Sequence, residues 1–229
     1  MDFKKFLLLD LDGTIWHDGA SNREKRNQER KILLTTVLGI HKTDADRSIS
    51  YLQEVINRYQ RHFNVPSPLE QLKIIFEFLG IPEHEMITLT DSWFEILLEY
   101  PPDIDFSFIS TVEKLKSDKN LTIAGYTSIP TEHIKYIKHF LSIQGFLYLF
   151  DEIYMGNEMK FIPPSPLALS HIPPPGIFEH KLIISSRETT LKSALLAGYN
   201  KTFIWGGNVN TIFTPLTNYS EIILKVTQI

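Results

Sequence analysis

Residues 7–14 read LLLDLDGT: an unbroken apolar run that ends on two carboxylates with one leucine between them. Residues 4–10 are predicted to form a short strand. A continuous apolar run, rather than an alternating one, is what a parallel strand covered on both faces requires. Carboxylates at the end of a buried strand are costly unless a cation or a function holds them. Gly13 permits the sharp turn that aims Asp10 and Asp12 at one point. For Asp-x-Asp alone, an ordinary acidic turn is the plainer alternative.

A parallel strand needs parallel partners, and the next eighty residues supply none. Residues 20–100 read as four helices: about 21–38 with Ser21 as cap, 43–63, 68–80 and 82–98. Gly39, Gly80 and Pro101-Pro102 mark three of their ends. In the second helix Ile49, Leu52, Val55, Ile56 and Tyr59 follow the 3.6-residue period. After residue 103 helices and strands alternate. Helices are predicted near 107–117, 131–143, 188–197 and 219–227, and strands near 121–126, 150–155, 181–185 and 202–205. Such alternation implies a parallel sheet joined by crossovers. The fold class is therefore α/β, a Rossmann-like three-layer core with an inserted all-helical cap. The expected boundaries are 1–16 and 103–229 for the core and 17–102 for a four-helix cap. Ligands of open parallel sheets bind at the carboxyl ends of the strands.

The 229 residues contain no cysteine, which excludes disulfides, thiolate metal sites and a cysteine nucleophile. A net charge of −4 gives no reason to expect nucleic acid or an anionic membrane as a partner. No window approaches the roughly 18 apolar residues of a membrane helix, and the N-terminus lacks the pattern of a signal peptide. A cytoplasmic protein is expected. Arg23, Lys25, Arg26, Arg30 and Lys31 cluster on the first predicted helix; a phosphate-rich ligand or nucleic acid could use them, but a solvated face is the expected reading.

The hydrophobic run followed by DLDGT resembles the first motif of the haloacid dehalogenase-like hydrolase superfamily, and the strand and helix order extends the resemblance over the whole chain. The resemblance implies a Mg²⁺-dependent phosphohydrolase working through an aspartyl-phosphate. Asp10 would be the nucleophile and Asp12 the general acid/base, with Asp10 and the Asp12 carbonyl on the metal. The second motif, a hydroxyl that holds phosphate at the end of a strand, matches Thr127, with Ser128 beside it.

The later motifs depart from this pattern. Where the third motif places a phosphate-binding lysine, the ungapped register falls on Pro163. Lys160 is three residues early; it is either a shifted replacement or a solvated loop lysine. In the fourth motif, Ser185-Ser186 and Thr190 stand where the metal-binding acids belong, and Glu188 is the nearest acid, two residues off register. Mg²⁺ needs near-octahedral oxygen ligation, so it is expected to be weakly held. Arg187 either replaces part of the metal's charge, pairing with Asp10 or with a bound anion, or points into solvent. Ser185-Ser186 also resembles the metal-free carbon–halogen-cleaving branch, but Arg187 and Thr190 replace that branch's Asn and Asp.

Three readings follow. The first is a phosphomonoester hydrolase acting on a small phosphorylated metabolite or nucleotide. The second is a catalytically degenerate member that acts by binding a ligand or a protein partner. The third is a metal-independent hydrolase.

Overall fold

The computed structural model describes residues 4–17, 19–61, 68–130, 134–156, 163, 165–173, 177–206 and 212–228. It divides into two compact units, Met1–His17 with Asp103–Ile229, and Asp18–Pro102.

The first unit is built on a six-stranded parallel sheet. Its strands are β1 (Lys5–Asp10), β4 (Leu121–Pro130), β5 (Glu152–Gly156), β6 (His180–Ser185), β7 (Lys201–Trp205) and β8 (Thr214–Leu216), in the order β5-β4-β1-β6-β7-β8. Leu7, Leu8 and Leu9 are fully buried, as a central strand covered on both faces demands. One face carries Phe6, Leu8, Ala124, Tyr126 and Ile183. Leu191 and Ala194 of α7 (Glu188–Leu196) pack with them. Trp205 points away from that face, opposite its neighbour Ile204, and meets Phe108 of α5 (Phe106–Leu115) edge to face. α5 in turn packs on α8 (Tyr219–Thr227), so helices flank both faces of the sheet. A sixth helix, α6 (Ile134–Ile143), follows β4. A two-stranded antiparallel ribbon, β2 (Trp16–His17) with β3 (Asp103–Ile104), closes the points where the chain leaves and rejoins this unit. The ribbon and β8 were not foreseen: two or three residues carry no periodicity.

The second unit holds α1 (Ala20–Val37), α2 (Lys42–Arg61), α3 (Pro68–Leu79) and α4 (Ile87–Glu99). Gly19, not Ser21, precedes α1 as its cap. The core joins Leu34, Ala45, Leu52, Leu72, Phe76, Leu89 and Trp93. The solvated basic face expected on α1 is corrected in part. Arg26 is only 5% exposed and donates to the Tyr100 carbonyl at 2.7 Å, and the Arg30 guanidinium lies 4.6 Å from the Trp93 ring centre. Lys31 pairs with Asp46 at 2.7 Å. These cations serve the helical unit itself. Tyr51 stacks on Phe78 at the surface. Among the described residues no helix is long and apolar enough to cross a membrane.

Candidate active site

The turn after β1 is set by close backbone approaches. Leu11 donates its N–H to the Tyr126 carbonyl at 2.7 Å, and its side chain lies over Gly125, where a Cβ would come within 3.2 Å of it. Gly13 takes a φ of 78°, which side-chain-bearing residues rarely adopt, and its N–H bonds the Trp16 carbonyl at 2.7 Å. The turn is tied to the segment after β6: Ser186 donates its N–H to Thr14 Oγ1 at 2.8 Å and its hydroxyl to the Gly13 carbonyl at 2.6 Å.

Asp10 ends β1 and has no solvent exposure. Both its oxygens are engaged. Arg187 grips it with two parallel bonds, Nη2 to Oδ1 at 2.6 Å and Nε to Oδ2 at 3.0 Å. The Ser185 hydroxyl adds a bond to Oδ2 at 2.6 Å, and accepts the Arg187 backbone N–H at 2.9 Å. Bidentate guanidinium–carboxylate pairs are among the strongest hydrogen-bonded contacts a protein makes. Burial pushes the Asp10 carboxyl above the usual carboxylate range, against the opposing pull of Arg187. Burial alone would lower the Arg187 pKa; Asp10 and Asp12 more than reverse that, so the guanidinium stays charged.

Asp12 is engaged too. Its Oδ1 accepts from the Trp16 indole Nε1–H at 2.9 Å and from the Thr127 hydroxyl at 2.9 Å, and its Oδ2 lies 3.6 Å from Arg187 Nη2. Thr127 ends the described burial of β4 with no exposure. Three adjacent strands, β4, β1 and β6, thus bring Thr127, Asp10, Asp12, Ser185 and Arg187 together at their carboxyl ends, where parallel sheets place their sites. Of the two placements open for Arg187, the inward one is found. Tyr126 stands beside Asp10 in register across β4 and β1. Its hydroxyl is buried without a hydrogen-bond partner. Burial first, then Asp10 and Asp12, hold the phenol neutral.

Glu188 and Thr190 do not join this group. Glu188 opens α7 half exposed, with its carboxylate 3.6 Å from Lys192. Thr190 is buried, and its hydroxyl has no partner. Lys160 and the side chain of Ser128 lie outside the described residues. Trp16 is buried against Phe140 and orients Asp12. The roles of Trp16 and Ser185 toward the two carboxylates were not anticipated. The four-residue spacing from Asp12 to Trp16 across a tight turn was the available signal.

Among the described residues the donor set does not fit Mg²⁺. That ion takes oxygen ligands in near-ideal octahedral geometry. Here the fourth-motif positions carry hydroxyls, Glu188 faces Lys192, and a guanidinium already holds Asp10. Among the described residues no group of three metal-binding side chains converges.

Solved structures that this chain is similar to share its fold. A 2-haloacid dehalogenase from Pseudomonas syringae superposes with a TM-score of 0.71 at 15% identity, over 98% of this chain and 99% of that one. The fold is that of the haloacid dehalogenase-like hydrolases. A Haemophilus somnus protein described as a phosphoglycolate phosphatase reaches 0.58 at 17% identity, over 100% and 99% of the two chains. YfnB of Bacillus subtilis, described as a hydrolase of this superfamily and solved bound to magnesium, reaches 0.58 at 16% identity, over 99% and 100%. No protein-family model and no curated protein sequence matches the chain.

Proposed function

We propose that this haloacid dehalogenase-like chain acts by binding a ligand or a protein partner and does not run Mg²⁺-dependent phosphomonoester hydrolysis. The observation that carries this reading is the two-point grip of Arg187 on Asp10. A nucleophile needs an oxygen with a free lone pair facing the phosphorus. Asp10 is instead wholly buried: Oδ2 accepts from both Arg187 and Ser185, and Oδ1 is paired with the Arg187 guanidinium. Asp12, the would-be proton carrier, is bonded by Trp16 and Thr127, which also takes up the hydroxyl expected to hold phosphate.

Charge supports the same reading. Phosphoryl transfer is driven mainly by cations gathered around the transferring group. Among the described residues, Asp10, Asp12 and Arg187 together leave one net negative charge, which opposes the approach of a phosphate dianion.

The test is hydrolysis of a generic aryl phosphate, with Mg²⁺ and with EDTA, beside an Asp10→Asn control. The expected result is that wild type and Asp10→Asn release product at the same background rate in both conditions. Mg²⁺-dependent turnover that disappears in Asp10→Asn would restore the phosphatase reading. Turnover indifferent to EDTA but lost in Asp10→Asn would favour a metal-independent hydrolase.

A further inference from the structure

We infer that Arg187 is a tethered replacement for a divalent cation: its guanidinium serves Asp10 and Asp12 together and keeps Mg²⁺ out of the site. This deepens the binding-only reading and rests on the same cluster, but it concerns metal exclusion rather than turnover.

The geometry is that of one cation shared by two carboxylates. Nη2 alone is 2.6 Å from Asp10 Oδ1 and 3.6 Å from Asp12 Oδ2, while Nε takes the second oxygen of Asp10. The tether is short. Arg187 sits two residues beyond Ser185, which ends β6 beside Asp10, and its extended backbone (φ −107°, ψ 117°) leads directly into α7. Its N–H is pinned to Ser185 Oγ at 2.9 Å. Ser185 Oγ therefore fixes both the carboxylate and the residue that carries the guanidinium. A cation attached so closely competes at a high effective concentration against any ion from solution. Unlike Mg²⁺, which sheds its water reluctantly, a guanidinium is weakly hydrated and remains charged throughout the accessible pH range. A second cation would also be repelled by the first at close range.

Removing the guanidinium charge leaves two neighbouring carboxylates, one wholly buried, with no counter-ion among the contacts described above. An ion from solution then competes with protonation of Asp10 as a means of offsetting them. Any ion that binds only the folded state raises the unfolding midpoint.

The experiment follows thermal unfolding of wild type, Arg187→Gln and Arg187→Lys as Mg²⁺ is added at constant ionic strength. It also follows the Trp16 indole N–H resonance, which reports on Asp12. The expected result is no saturable response in wild type or Arg187→Lys, and an upward, saturable shift of the midpoint in Arg187→Gln. Should Arg187→Gln not fold, the wild-type titration decides alone. An unmoved Trp16 resonance supports the inference. A saturable shift in wild type that is lost in Asp10→Asn overturns it, as does a folded Arg187→Gln that is as indifferent to Mg²⁺ as wild type. EDTA-insensitive turnover at Asp10 would refute the binding-only reading and leave metal exclusion standing.

Discussion

Replacing Arg187 with methionine is expected to destabilise the protein by roughly 3–5 kcal/mol, the range found when one partner of a buried ion pair is removed. Methionine keeps much of the length and apolar stem but leaves Asp10 buried with only the Ser185 hydroxyl as described support. The deficit carries a pH signature. The Asp10 pKa is already raised by burial, and Arg187 is the group that pulls it down. Without Arg187 it rises further. A carboxyl whose folded pKa lies above its unfolded value binds protons more readily in the folded state, so its stability contribution is greatest below the unfolded value and is lost as pH rises through the folded value. The stability gap between Arg187→Met and wild type should therefore narrow as pH falls from about 8 toward about 5. Denaturant unfolding across that range checks this. Adding Asp10→Asn to Arg187→Met should recover much of the loss, since no unpaired charge then remains buried. An Arg187→Met protein as stable as wild type at neutral pH would mean that the pair contributes nothing to the fold.

The second large effect belongs to the helical unit. Trp93 is 1% exposed, packs with Leu34, Leu52, Leu72 and Phe76, and carries the Arg30 guanidinium on its ring. Trp93→Ala should cost roughly 3–5 kcal/mol, the usual penalty for emptying a buried aromatic site. Hydrogen exchange gives the direct readout. Protection should fall in α1, α2, α3 and α4. Trp93→Phe should lose less: it keeps an aromatic ring and removes an indole N–H that is buried without a hydrogen-bond partner. Unchanged protection in these helices after Trp93→Ala would show that the unit does not depend on this core.

The fold was legible where burial imposed a pattern over many residues. The apolar run 7–9 announced a doubly covered strand, and the switch from four successive helices to alternation after residue 103 announced an insertion into an α/β core. What stayed hidden depends on distant pairing. Arg187 and Asp10 are 177 positions apart, and they meet only because β6 lies beside β1 in the sheet. No local signal says whether a side chain at the start of a helix turns inward. Arg26 and Arg30 are illegible in the sequence for the same reason: four residues apart, they resemble an exposed stripe until Trp93 and Tyr100 return from α4 and its end to cover them. The loss of the fourth-motif acids was visible at once in Ser185-Ser186 and Thr190. The structure adds what stands in their place.

The proposed binding role requires that Asp10 be withheld from chemistry by its own neighbours. The most direct measurement is the intact mass of the chain after incubation with acetyl phosphate and Mg²⁺, beside Asp10→Asn. The predicted result is an unmodified chain in both. Addition of a single phosphoryl group to wild type, absent from Asp10→Asn, would show Asp10 to be an available nucleophile and would contradict the account.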